Sequence, residues 1–187
     1  MALKMLISLL CLAVLLTVNA HDYRQAKHFK ISKLLNVEWY DLFYANDAPG
    51  ELSTCTRWLF TPRDDGSIVY QFGFFALTLD GEFQSATSVL KDDGHGGRLT
   101  MTNAPSGSYL YVLDYAKDYD WVIVADTYTF GGFMTLLSKT PENLDALARV
   151  VEVAAKYGKT SHHLGLQNRH CSYGKIFDLL EDAREDI

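Results

Sequence analysis

Cysteines and histidines carry the most defined chemistry in this sequence, and neither set composes a catalytic centre. Cys55 and Cys171 stand far apart, while Cys11 lies in an apolar N-terminal run. Two distant cysteines in an exported chain are expected to pair. The loop so closed exceeds roughly 100 residues, for which the chain-entropy account gives about 4–5 kcal/mol. The alternative is two buried free thiols. His162, His163 and His170 are of the type that holds zinc or haem iron. Successive strand side chains face opposite ways, so His162 and His163 cannot readily share an ion, and no carboxylate stands beside them at ligand spacing. They read as a solvated segment between a helix and a final strand, and no metal site is assigned. His95, flanked by glycines, reads as a solvated turn residue. No Gly-x-Ser-x-Gly elbow, His-Glu-x-x-His helix or phosphate loop occurs, so no catalytic residue is assigned and the chain reads as a non-enzyme.

The remaining candidate chemistry is aromatic. Phe, Trp and Tyr make up 13% of the chain, and so many rings must either fill a core or line a site. The first twenty residues stand apart from that question. Lys4 precedes an apolar run from Met5 to Leu16, and Thr17-Val18-Asn19-Ala20 supplies small residues at 18 and 20, the pattern of a cleaved secretory signal. Residues 21–187 are then one domain, expected outside the cell. They contain no run of about 18 apolar residues, so no membrane span is expected. The net charge of −6, one unit more negative without Lys4, opposes phosphate backbones and anionic lipid, which argues against nucleic acid as a partner. No Asn-x-Ser/Thr sequon is present, so N-glycosylation is not expected.

The elements that must position those rings are short strands separated by turn residues. The runs are 39–44, 55–61, 68–76, 82–90, 98–103, 109–115, 121–128 and 133–138, with Asp-Gly turn signals at Asp65-Gly66 and Asp80-Gly81 and glycines at 131 and 132. That spacing belongs to an all-β sandwich or barrel. The period then changes. Thr140 can cap a helix, Pro141 suits its first turn and Glu142 its dipole. Leu144, Leu147, Val151 and Ala154 follow at helical spacing until Gly158. Hairpins without βαβ alternation predict sequential antiparallel pairing, and eight strands suffice to close a barrel that holds one small ligand. An open sandwich of the same strands is the alternative.

Three stretches resemble one family. Asn36-Val37-Glu38-Trp39-Tyr40 resembles the Gly-x-Trp-Tyr opening of lipocalins, with Asn36 in place of the usual Gly. Asp118-Tyr119-Asp120-Trp121 resembles the second lipocalin motif at the turn between strands six and seven. Leu136-Leu137-Ser138-Lys139-Thr140-Pro141 resembles the third, with Lys139 where Arg is usual. The stretch 167–173 around Cys171 is most similar to that of apolipoprotein D and the carotenoid- and bilin-binding invertebrate members. The resemblance implies an eight-stranded antiparallel up-and-down β-barrel with one C-terminal α-helix packed outside. It also implies that Lys139 lies across Trp39 at a closed end, a cation–π contact of about 0.5–2 kcal/mol. Lysine lacks the planar stack of arginine, so that end should be slightly looser.

With Cys55 facing out of such a barrel, alternation turns Thr56, Trp58 and Phe60 inward. The same register collects Ile68, Tyr70, Phe72 and Phe74 on the third strand. Leu99 and Met101, Tyr109 and Tyr111, and Phe133, Thr135 and Leu137 complete the expected lining. An apolar wall with a few phenols and one indole N–H suits an elongated or planar lipophile with one or two polar ends. The implied partner is a small hydrophobic molecule such as a carotenoid, bilin or other tetrapyrrole, retinoid, fatty acid or steroid. No cofactor is required, and a bound pigment or lipid is cargo. The alternative is a filled barrel acting as a protein-interaction module: an inhibitor, a receptor ligand or a subunit of a pigment complex that contacts partners through flanks of the mouth such as 44–52. A homo-oligomer stays open.

Overall fold

The computed structural model describes residues 23–46, 53–76, 83–128, 132–159 and 162–164. The signal-like segment, Cys171 and His170 lie outside the described residues. Strands form where β-branched and aromatic residues cluster and stop at the turn residues between them. They are β1 (Trp39–Asn46), β2 (Ser53–Pro62), β3 (Ile68–Ala76), β4 (Phe83–Asp92), β5 (Arg98–Met101), β6 (Tyr109–Tyr115), β7 (Trp121–Asp126) and β8 (Phe133–Ser138). Each pairs antiparallel with the next, and β8 pairs with β1. Contact of β1 with β2, at Trp39 opposite Trp58 and Tyr40 opposite Arg57, closes the barrel. The open-sandwich alternative is thereby excluded. In the β2–β3 hairpin, Asp65 accepts from the Ser67 amide and hydroxyl, and Gly66 takes φ +79°, a left-handed conformation that glycine adopts without a Cβ clash.

A short ninth strand, β9 (His162–Leu164), pairs with Phe43–Ala45 of β1. His162 and His163 are therefore strand residues, whereas the sequence reading placed them in the segment between the helix and a final strand. Helix α1 (Leu144–Lys156) starts later than predicted, with Asn143 as its N-cap, accepting from the Ala146 amide at 3.1 Å. Thr140 is not the cap, because the helix begins four residues beyond it and its hydroxyl donates to the Glu142 carbonyl. The buried face of α1 is Ala146, Val150, Val153 and Ala154. Leu144 is 80% exposed and Val151 is exposed as well, whereas Ala154 is buried and Leu147 packs against the same layer, so half of the expected stripe faces the barrel. Arg149 bonds Asp114 of β6 at 2.6 Å.

Burial separates into two apolar layers. One fills the barrel around Trp39, Trp58, Phe60, Tyr70, Leu110 and Phe133. The other, with Phe43, Ile123, Met134, Leu136 and the inner face of α1, lies between helix and barrel wall. This is the outside-packed helix that the sequence implied.

Candidate ligand-binding interior

The barrel has a plugged end. The 3-10 turn Ile31–Lys33 leads into Leu34, which is fully buried, as is Trp39. The Trp39 indole N–H donates to the Leu34 carbonyl at 3.1 Å. Lys139 Nζ sits 6.0 Å from the Trp39 ring centroid and 3.6 Å from the Asp120 carboxylate. Its backbone N–H bonds the Asp120 carbonyl at 2.9 Å. Asp118 accepts from the Asp120 amide at 3.3 Å. Tyr119, at φ +62°, stacks on Tyr115 with centroids 5.0 Å apart. Asn36 also takes a left-handed φ, +55°, a conformation asparagine tolerates better than most residues. Two residues rather than one separate it from Trp39.

Above this plug runs an aromatic ladder. Register sets Trp58 opposite Phe72 and Phe60 opposite Tyr70, so alternation points all four rings the same way. Trp58 lies 5.0 Å from Phe72 and 5.3 Å from Tyr70, with the planes nearly parallel. Phe74 continues the series at 6.1 Å from Phe72. Phe133 packs on Trp58 at 5.6 Å, and Tyr44 stacks on Phe133. Exposure rises along the ladder, from 0% at Phe60 and 1% at Tyr70 to 7% at Phe72, while Phe74 is only half-buried. The wall is thus sealed at one end and approaches solvent at the other.

Of the expected lining, Trp58, Phe60, Tyr70, Phe72, Leu99, Met101, Phe133 and Leu137 share the interior cluster, with Phe74 packed against it. Thr135 is fully buried and bonds inside the barrel. Tyr109 and Tyr111 are corrections. Leu110 and Val112 occupy the interior, whereas Tyr111 packs in the outer layer. Tyr109 stands edge-on to Tyr111 and carries Arg98 over its ring. The run Tyr-Leu-Tyr-Val is apolar on both faces, so period two alone could not choose. The interior, already crowded with rings from β2 and β3, takes the aliphatic face.

Two interior acids were missed. Asp41, alternating with Trp39, accepts from the Trp58 indole N–H at 3.0 Å. Its other oxygen lies 2.6 Å from the Thr135 hydroxyl, which is itself 2.7 Å from the Phe43 carbonyl. A register shift between Asp41 and Phe43 brings this backbone alongside, the re-aiming that a β-bulge produces. One threonine proton cannot serve two acceptors. Both short contacts are satisfied if Asp41 is a neutral acid that donates to Thr135, which in turn donates to Phe43. The surroundings agree. Burial pushes the Asp41 carboxyl up to about 7 from 3.8, against opposing hydrogen bonds from Thr135, Trp58 and the Phe43 backbone. Asp126, at the far end of β7, is also fully buried. It accepts from the Tyr128 amide and lies 3.4 Å from the Tyr70 hydroxyl. The sequence signal was a lone acid within each of two otherwise apolar strands.

A closed, eight-stranded up-and-down barrel with an aromatic interior, a tryptophan-plugged end and one outside helix is the lipocalin fold. Solved structures of other proteins share it. The siderocalin Ex-FABP matches with a TM-score of 0.61 at 12% identity, over 74% of this chain and 97% of that one. The cockroach major allergen Per a 4 matches at 0.57 and 18%, over 78% and 95%. Lobster apocrustacyanin A1 matches at 0.56 and 17%, over 80% and 86%. No family model and no curated protein sequence matches the chain.

Proposed function

We propose that the chain is a secreted carrier that holds a small hydrophobic molecule in the barrel interior. The observation that carries this reading is the ladder from Phe60 to Phe74, continuous in stacking and increasingly exposed toward one end. Large flat rings bind elongated or planar apolar bodies with little loss of side-chain entropy. Carotenoids, bilins, retinoids, steroids and fatty acids all have such bodies. A siderocalin described as functioning through dual ligand specificities shares this fold, as does lobster apocrustacyanin A1. The signal-like segment 1–20 supports export. Cys55 carries no free thiol, which supports its pairing with Cys171 and an oxidising destination.

Full burial of Trp58, Phe60, Tyr70 and Phe133 favours a second reading, in which the rings fill the barrel and the protein acts through its surface. One titration separates the two. Retinol added to purified protein should quench Trp58 emission saturably at micromolar concentration. A flat response to retinol, a carotenoid and a steroid alike would leave the interaction module. Native mass spectrometry of protein from its source, followed by organic extraction, would name the cargo.

A further inference from the structure

Tyr70 lies on β3 and Asp126 on β7, strands four apart in a closed ring of eight and therefore on opposite walls of the barrel. Alternation turns both inward, since Tyr70 shares a face with Phe72 and Asp126 shares one with Val122 and Val124, all members of the interior cluster. The contact between them, 3.4 Å from the phenol oxygen to the Asp126 carboxylate, consequently crosses the lumen. Both groups are buried, at 1% and 0% exposure, and Tyr70 stands one ladder step inside Phe72. One Asp126 oxygen accepts from the Tyr128 amide, which fixes the carboxylate and aims its other oxygen at the phenol. Other inward polar groups are engaged at shorter range. Asp41 meets Trp58 at 3.0 Å and Thr135 at 2.6 Å, and Ser88, the register partner of Tyr70 on β4, meets Asn103 at 2.6 Å.

Hydrogen bonds from a hydroxyl to a carboxylate settle at about 2.5–2.7 Å, so the contact across the lumen is a stretched one. It offers a donor on one wall and an acceptor on the other. A hydroxyl oxygen placed beside the pair accepts from the phenol and donates to the carboxylate, exchanging one long contact for two of ordinary length. An ether or ester oxygen accepts from the phenol but has no proton for the acid, and a hydrocarbon end serves neither group. On the reading that this barrel is a carrier, we infer that its cargo is a lipophilic alcohol held hydroxyl end inward, with the hydroxyl bonded to Tyr70 and Asp126 and the apolar body lying along Phe72 and Phe74. The direction follows from the ladder, whose exposure rises from Tyr70 toward Phe72 and Phe74.

The test is quenching of tryptophan emission in the full secreted chain by all-trans-retinol and by its methyl ether, which share one polyene body and differ at the oxygen. Retinol should bind about tenfold more tightly, the ratio that one hydrogen bond to a buried carboxylate supplies. In Asp126→Asn the amide presents donors that an alcohol or an ether oxygen accepts alike, so the ratio should fall to within about twofold. Tyr70→Phe removes the phenol hydroxyl alone and should narrow the ratio by about threefold. Leu144→Gln, on the exposed side of α1, should keep the parent ratio. Equal affinity of the parent protein for the two compounds overturns the alcohol assignment and leaves the carrier reading standing. A preference retained in full by both interior variants overturns the role of Tyr70 and Asp126. Absence of saturable quenching by either compound overturns the carrier reading, and this inference with it.

Discussion

At the residue scale the decisive group is Asp41. Its carboxyl is fully buried and titrates near 7 rather than 3.8, so the folded state binds its proton more tightly than the unfolded chain does. A raised acid contributes stability that is complete below about pH 4 and is lost as pH rises through about 7. The full span is on the order of 4 kcal/mol. The melting temperature should accordingly fall between pH 5 and pH 8. Asp41→Asn should flatten that fall, because an amide NH₂ can donate to Thr135 while its oxygen accepts from Trp58, reproducing the neutral acid. Asp41→Ala leaves the buried indole N–H and the Thr135 hydroxyl unserved and should cost about 2–4 kcal/mol at pH 5, less as pH rises toward 8 and the parent loses its own contribution. Calorimetry across that range checks all three, and a parent protein whose stability is level from pH 5 to 8 would contradict the neutral-acid assignment. Asp41 was visible in the sequence only as an acid between Tyr40 and Leu42. Its partner Thr135 lies 94 positions away, and nothing local announces such a pair.

At the element scale, legibility depended on whether a strand has one polar face. On β3, Val69, Gln71 and Gly73 alternate with Ile68, Tyr70 and Phe72, and the inward set read from sequence is the inward set in the fold. On β6 both faces are apolar, and the assignment of Tyr109 and Tyr111 came out reversed. The correct parity predicts that Leu110→Ala, at a fully buried interior position, costs about 2–5 kcal/mol. Tyr109→Ser, at a half-buried outer position, should cost about 1 kcal/mol. Urea unfolding would show the contrast, and equal costs would return β6 to the original parity. Helix α1 behaves alike. Its period was readable, but Thr140 and Asn143 both satisfy the N-cap preference, and the bond from the Ala146 amide to Asn143 decides between them. Leu144→Gln should change stability by less than about 0.5 kcal/mol, whereas Val150→Ala, facing the barrel, should cost about 2 kcal/mol.

For the whole molecule, the closed barrel was legible because turn signals recur at short intervals and leave no room for crossover helices. How well each seam is fastened was not. Among the described residues β1 meets β2 only at Trp39 with Trp58 and Tyr40 with Arg57, and β9 takes over β1 beyond that point. Side chains reinforce this narrow junction. The Trp58 indole bonds Asp41 across it, and Arg57 bonds Glu38 and covers Tyr40. Cys55 lies two residues before Arg57, at φ +59° within a register shift of β2. A bond from Cys55 to the distant Cys171 would tether the strand whose ladder to its neighbour is shortest. Intact mass should then be two hydrogens below the fully reduced value. Reduction should lower stability by about 4–5 kcal/mol on the chain-entropy account. Backbone amides of β1 and β2 should gain exchange rate earlier than those of β6 and β7, because a weakly laddered seam opens before a well-laddered one. Uniform acceleration across all strands, or an intact mass matching free thiols, would show that closure rests on the interior rings and side-chain bonds alone.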